Sequence, residues 1–143
     1  MRVSAVLVAL VSGGVAAACA QARPTTVRVP EAWVRVQGDI TGMSAGYFTI
    51  QNTGTVPVTV RSVSCRDMQM VTMHETLIAN GMARMVARDS VVVPAGEQVV
   101  MRPGGLHLML MGLAKPLSAG HQASCTLRTS AGEVPVTAAV RAN

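Results

Sequence analysis

Short apolar or alternating runs recur from Thr25 to the end of the chain. Turn-forming residues separate them, for example at Asn52–Thr53–Gly54, Pro94–Ala95–Gly96 and Ser130–Ala131–Gly132. Runs of about four to eight residues between such turns are typical of β-strands, and a series of them favours a sandwich or a barrel. No segment carries a sustained helical period with caps. We therefore predict one all-β, antiparallel domain.

The composition fits a single domain of this kind. The chain has 143 residues, and 50% of them are apolar, but it contains one Trp, one Tyr and one Phe. Val, Ala and Leu must therefore fill the core, and this length leaves room for one core rather than two. Asn80–Gly81 lies between two apolar runs and predicts a tight hairpin, because both residues tolerate positive φ.

The charge pattern argues against nucleic-acid binding. The formal net charge is +5, but the basic residues are scattered singly from Arg23 to Arg141. A nucleic-acid footprint needs basic residues clustered on one face or along one helix. The chain also has few acids and neither a Gly-x-Ser-x-Gly nor a His-Glu-x-x-His motif. We therefore expect neither a nucleic-acid-binding protein nor an enzyme.

The N-terminal segment has the features of a secretory signal. Arg2 precedes the short apolar run Val3–Val11, and small residues follow from Gly13 to Ala22. A positive residue, an apolar run of this length and small residues at the cleavage point are typical of exported proteins. We predict a signal peptide at residues 1–22 and a β domain at residues 23–143, in a periplasmic or otherwise exported protein.

Cys19 leaves a second interpretation of this segment open. It follows Ala16–Ala17–Ala18, which resembles an imperfect lipoprotein cleavage box. The signal would then end at residue 18, and a lipidated Cys19 would be the protein's one contact with the membrane. Cys65 and Cys125 remain in either case, and a disulfide between them is the default expectation for an exported protein.

Two histidines and two methionines form a candidate metal site. They are His74, Met85, His107 and Met109. Imidazole nitrogen and thioether sulfur suit copper, and thioether sulfur favours Cu(I). Zinc and magnesium sites take thiolate, carboxylate, imidazole or oxygen ligands instead. If the four side chains converge, the chain binds copper.

The segment Leu106–Gly112 is a predicted strand, which constrains two of these residues. Alternate side chains of a strand share a face, so His107, Met109 and Met111 lie on one side. Pro103–Gly104–Gly105 precedes the strand and places His107 near a loop through which an ion could enter. Methionine is also an ordinary core filler. On these residues alone, a copper site and core packing both remain open.

The spacing of the four residues resembles the signature of the PCu(A)C family of periplasmic copper chaperones. That signature is His-x10-Met-x21-His-x-Met, and the chain matches it without a gap. The resemblance covers nearly all of the chain after the leader. It includes Ala32–Arg35, Ala45–Tyr47, Asn52–Gly54, Met73–Thr76, Pro103–Leu113 and Lys115–Leu117.

This resemblance implies a fold, a metal and a role. It implies a cupredoxin-like Greek-key β-barrel or sandwich that binds one Cu(I) through His74, Met85, His107 and Met109. It further implies a monomeric carrier that delivers copper to the CuA centre in subunit II of cytochrome oxidase, alongside a thioredoxin-like Sco-type protein. Some members carry a second copper on a His- and Met-rich tail. This chain has no His after His121 and no Met after Met111, so we expect no second site of that kind.

Other side chains have weaker claims to a role. Met111 is a candidate spare ligand, and Glu75 could orient His74 as a hydrogen-bond partner. We expect the other methionines to be core or surface filler and His121 to lie in a solvated loop. A blue-copper electron carrier is an alternative function, but it needs a Cys ligand beside two His. A structural exported β domain is a third, and it leaves the His–Met pattern unexplained.

Overall fold

The computed structural model describes residues 25–142. The predicted signal peptide, residues 1–22, and the candidate lipidation site Cys19 lie outside this range, as does Asn143. No helix in the described range is long and apolar enough to cross a membrane. The described residues form ten strands: β1 (Val27–Arg35), β2 (Ser44–Asn52), β3 (Val58–Cys65), β4 (Met68–Ala79), β5 (Met82–Arg88), β6 (Val91–Val93), β7 (Gln98–Val100), β8 (Leu106–Leu113), β9 (Gln122–Thr129) and β10 (Gly132–Arg141).

The strands hydrogen-bond in the order β5-β4-β8-β2-β1-β10-β9-β3-β6, and β7 pairs with β2 beside this path. β3 and β4 stand far apart in that order but contact each other, so the sheet curls around one core. The all-β prediction is confirmed. The expectation of a purely antiparallel domain is wrong in one place, because β1 pairs with β10 in parallel. On its other side β1 pairs with β2, and β10 pairs with β9; both of these pairings are antiparallel.

Alternation along β4 and β8 separates the core from the outer face of the sheet. Leu108 and Leu110 are completely buried, and Met73 on β4 is 5% exposed. These residues pack with Val, Leu and Ile side chains from the other strands to form the core. Residues at the intervening positions of β4 and β8 therefore point away from the core. The predicted division of β8 into a Leu face and a His–Met face is present.

The β4–β5 hairpin turns at Asn80 and Gly81, as the sequence predicts. Both residues have positive φ, 52° and 75°. This conformation suits the right-handed twist of the two strands, and Asn and Gly adopt it with little strain. The turn fixes the register of the hairpin, so that Ala79 lies opposite Met82 and the pairing continues to Met73 opposite Arg88.

Cys65 and Cys125 form a disulfide between β3 and β9. They lie directly opposite each other in the antiparallel pairing of these two strands, and both are buried. Neither strand belongs to the β5-β4-β8 part of the sheet. The disulfide therefore links two strands that carry none of the four predicted ligands.

Candidate metal centre

His74 and His107 lie directly opposite each other on neighbouring strands. They are paired residues of β4 and β8, so their side chains leave the same face of the sheet. The centroids of the two rings are 6.1 Å apart, and the ring planes are 26° from parallel. Thirty-two residues separate them in the sequence, and only the pairing of β4 with β8 brings them together.

Met109 and Met85 lie on the same outer face. Met109 lies two positions after His107 on β8. It pairs with Thr72 of β4 on one side and with Ala45 of β2 on the other. Met85 pairs with Thr76 on β4, two positions along from His74. The four predicted ligands therefore occupy one face of the adjoining strands β5, β4 and β8.

Within residues 25–142, the hydrogen bonds of the two rings leave one nitrogen of each ring without a partner. Nδ1 of His107 lies 2.9 Å from the carbonyl oxygen of Gly105 and donates to it, because a carbonyl only accepts. Nε2 of His74 lies 3.0 Å from Oγ1 of Thr72. Nδ1 of His74 is buried and has no hydrogen-bond partner among the described residues. A buried polar atom without a partner is costly, so this nitrogen calls for a ligand or a water.

A cavity of about 310 Å³ opens beside this face. Three of the predicted ligands line it, namely Met85, His107 and Met109. The other lining residues are Arg35, Met43, Ser44, Ala45, Tyr47, Thr76, Pro103 and Gly104. Among the described residues that line it, Arg35 is the one charged side chain, and its Nη2 donates to the Tyr47 hydroxyl at 3.1 Å. The predicted entrance at Pro103–Gly104 therefore borders the cavity.

His74 faces a neighbouring depression instead. That depression is lined by Thr72, His74, Ala87 and Arg88, among others. The structure thus brings all four predicted ligands to one face but does not place them around a single cavity. Nδ1 of His74 is therefore separate from the cavity that the other three predicted ligands line.

The structure also shows where Glu75, His121 and the remaining methionines lie. Glu75 does not orient His74: it forms an ion pair with Arg88, and the His74 ring is held by Thr72 instead. Met73 and Met101 are buried core residues, as expected for filler. His121 is exposed outside the strands, as predicted. Met111 shares the outer face with Met109 and lies opposite Met70.

Sequence reasoning missed the groups that fix the two rings. Thr72 is two residues before His74 on the same strand, and Gly105 is two residues before His107. A Thr-x-His pattern on a predicted strand places both side chains on one face, so it could have been noticed. The Gly105 carbonyl leaves no sequence signal, because any residue supplies a backbone oxygen.

No group of three or more His, Cys, Asp or Glu side chains within residues 25–142 is placed to hold a metal ion. The face built from β4, β5 and β8 offers a different donor set, two imidazoles and two thioethers. This set fits a soft monovalent cation, because all four donors are neutral and two are sulfur.

Comparison with known proteins decides the family. The model of the LpqE-like family of candidate lipoproteins matches residues 27–140. The chain belongs to this family. A candidate lipoprotein from Leifsonia xyli subsp. xyli (strain CTCB07) is 38% identical over 117 residues, which are 80% of this chain and 69% of that protein.

Solved structures of similar proteins agree with this family assignment and share the fold of this chain. The copper-bound PCuAC domain from PmoF2 has a TM-score of 0.69 and 26% identity, over 82% of this chain and 94% of that domain. The Cu(I) form of DR1885 from Deinococcus radiodurans has a TM-score of 0.61 and 28% identity, over 88% and 84%. The predicted cupredoxin-like class and the resemblance to the PCu(A)C family are both confirmed.

Proposed function

We propose that this protein is an exported copper carrier that binds one Cu(I) and passes it to a copper enzyme. The proposed ligands are His74, Met85, His107 and Met109. Support comes from the likeness to PCuAC domains solved with copper, one from PmoF2 and one from Deinococcus radiodurans. The role is transport of the ion, with no chemical conversion of a substrate.

One observation carries this proposal: each of two facing histidines has a single nitrogen left over. The Gly105 carbonyl occupies Nδ1 of His107, which leaves Nε2 for a metal. When Nε2 of His74 donates to Thr72, the lone pair of the buried Nδ1 is free. Histidine ligands commonly use their second nitrogen in this way, which fixes the ring and its tautomer.

The surroundings of the donors favour Cu(I) over dications. Thioether sulfur selects soft ions, and Cu(I) is the soft ion among those available to an exported protein. No carboxylate of the described residues lines the cavity, so the oxygen donors that hard dications prefer are absent from its wall.

The proposed destination follows from the family resemblance. A carrier of this type would deliver copper to the CuA centre in subunit II of cytochrome oxidase, with a Sco-type protein as a second partner. Export is supported by the relative from Leifsonia xyli subsp. xyli, which is described as a candidate lipoprotein. The protein would act as a monomer in the periplasm or at the membrane surface, held there only if Cys19 is lipidated.

Anaerobic Cu(I) titration of paired variants tests the site. Replacing His107 by Ala together with Met109 by Ile removes two donors, so we expect the Cu(I) affinity to fall more than about a hundredfold, equivalent to ~2.7 kcal/mol. The matched control replaces His121 by Ala and Met82 by Ile, because both residues are exposed and neither lines the cavity. This control should retain the affinity of the native protein.

Two results would contradict the proposal. Undiminished Cu(I) binding by the first variant would show that the ion is held elsewhere. A strong blue band on oxidation, with fast redox cycling and no copper transfer, would indicate an electron carrier with a Cu–thiolate bond. We expect the loaded protein to be colourless, because Cu(I) has a filled d shell. The two cysteines of the described range are joined to each other, so we expect no blue Cu–thiolate band on oxidation.

A further inference from the structure

Met43 is an exposed methionine that the proposed ligand set leaves out. It lies directly before β2 and is 61% exposed. Such exposure excludes a role as core filler, which is the ordinary use of methionine. Met43 nevertheless lines the same cavity as Met85, His107 and Met109. A third methionine therefore borders the space beside the proposed ligands.

The strand register explains why Met43 borders this cavity. Ala45 on β2 pairs with Met109 on β8. Met43 is two residues before Ala45, and side chains two apart on an extended chain leave the same face. Met43 therefore lies on the Met109 side of the sheet, just before the start of β2.

The turn before Met43 is held by several hydrogen bonds. Nε2 of Gln37 donates to the carbonyl oxygen of Met43 at 2.9 Å, and the Gln37 backbone is bonded in both directions to Leu117. Within the turn, Asp39 accepts from the backbone and hydroxyl of Thr41, and these bonds lower the pKa of Asp39. These bonds hold the Met43 backbone in place, while its side chain is exposed.

The cavity has a deep side and an open rim. His107 is only 8% exposed, and Met109 is half-buried beside Ala45. Met85 and Met43 are 51% and 61% exposed. Two exposed methionines therefore line the cavity together with a more buried histidine and a more buried methionine.

From this arrangement we infer that Met43 is a transfer ligand, a thioether that binds Cu(I) while the ion enters or leaves the site. This inference rests on the proposed function, because it assigns a step to the same copper site. Cu(I) moves between soft donors by ligand substitution, in which an incoming donor binds before an outgoing donor leaves. An exposed thioether beside the site lowers the cost of the intermediate, because the ion never loses a donor without gaining one.

The step conserves charge and electrons. A Cu–S bond forms to Met43 as the Cu–S bond to Met85 breaks, and copper remains Cu(I) throughout. Neither thioether carries a titratable proton, so no proton is taken up or released. Donors from the acceptor then replace His74, His107, Met109 and finally Met43 one at a time. Each Cu–N or Cu–S bond that breaks is matched by one new bond to the acceptor, and all the ligands of this protein are left free of copper.

Copper transfer from the loaded mature protein to excess bicinchoninate, a Cu(I) chelator, tests this inference. Met43→Leu keeps the bulk and the apolar character but removes the sulfur. We expect the transfer rate to fall about tenfold, equivalent to ~1.4 kcal/mol in the barrier, while the equilibrium affinity for Cu(I) changes little. The matched control is Met82→Leu on β5, since Met82 is 69% exposed and does not line the cavity. Its transfer rate should equal that of the native protein.

Three results would overturn the inference. An unchanged rate in Met43→Leu would show that copper leaves without this sulfur. A tenfold loss of equilibrium affinity would make Met43 a permanent ligand and not a transfer ligand. An equal loss of rate in Met82→Leu would indicate a general effect of surface methionines. All three leave the proposed function intact, whereas a native protein that binds no Cu(I) would remove both.

Discussion

At the scale of single residues, each of the two histidine rings is held by a hydrogen bond to a residue outside the proposed ligand set. The Thr72 hydroxyl and the Gly105 carbonyl each engage one ring nitrogen. Such partners hold the ring orientation and the tautomer, so the metal does not have to select them on binding. Of these two partners, only the Thr72 hydroxyl can be removed by a substitution, because every residue supplies a backbone carbonyl.

Thr72→Val should therefore weaken Cu(I) binding without removing a ligand. Valine keeps the branched shape of threonine, but the His74 ring loses its hydrogen bond. We expect the Cu(I) affinity to fall by about 10- to 100-fold, the usual effect of deleting such a partner. Competition with a Cu(I) chelator measures this change. Thr137→Val, an exposed position on β10, is the control and should have no effect. An unchanged affinity in Thr72→Val would show that the ring does not need this bond.

At the scale of strands, local features were predictable and long-range pairings were not. Asn80–Gly81 predicts its hairpin because the turn depends on those two residues alone. The common face of His107 and Met109 likewise follows from alternation within one strand. The opposition of His74 and His107 could not be predicted from local pattern, since it depends on β4 pairing with β8 in one register. The spacing signature located both residues without explaining why they meet.

The same distinction applies to Met43. Nothing in its immediate sequence sets it apart from the other methionines, and its place beside Met109 comes from the pairing of β2 with β8. The parallel pairing of β1 with β10 was also missed, because strand alternation carries no information on the direction of a neighbour.

The disulfide between β3 and β9 provides a prediction at this scale. Replacing both Cys65 and Cys125 by Ala should lower the free energy of unfolding by about 4 kcal/mol, because the bridge closes a long loop in the unfolded chain. Urea denaturation followed by Trp33 fluorescence measures the change. Cu(I) affinity should be retained, since neither cysteine lines the cavity.

Alkylation of the untreated protein under denaturing conditions is the direct check of this bridge. Intact mass should show no label on Cys65 or Cys125 until a reductant is added. Labelling of both thiols without reduction would contradict the bridge, and the stability difference would then need another cause.

At the scale of the whole molecule, the face that carries the four proposed ligands exists only in the folded barrel, since no single segment contains it. The proposed ligands come from three strands, and these strands meet only when the sheet is formed. Cu(I) should therefore bind the native state far better than the unfolded chain, and binding should stabilise the fold by mass action.

Denaturation in a Cu(I) buffer tests this coupling. With free Cu(I) at a hundred times its dissociation constant, the free energy of unfolding should rise by about 2.7 kcal/mol. The variant that combines His107→Ala with Met109→Ile should show almost none of this increase. Zinc buffered at the same free concentration should stabilise the native protein less, because thioethers are poor zinc ligands. Equal stabilisation by both metals would contradict a thioether site.

The alternation along β4 and β8 also has a consequence for inheritance. Core residues and donor residues occupy opposite faces of the same strands, so a substitution of His74 or Met109 leaves Leu108 and Leu110 packed as before. A descendant could lose its donors one by one and still fold into the same barrel, with no selection on stability to prevent it. Shared ancestry in this fold therefore guarantees the barrel alone, and a copper role has to be established in each lineage from the donor positions themselves.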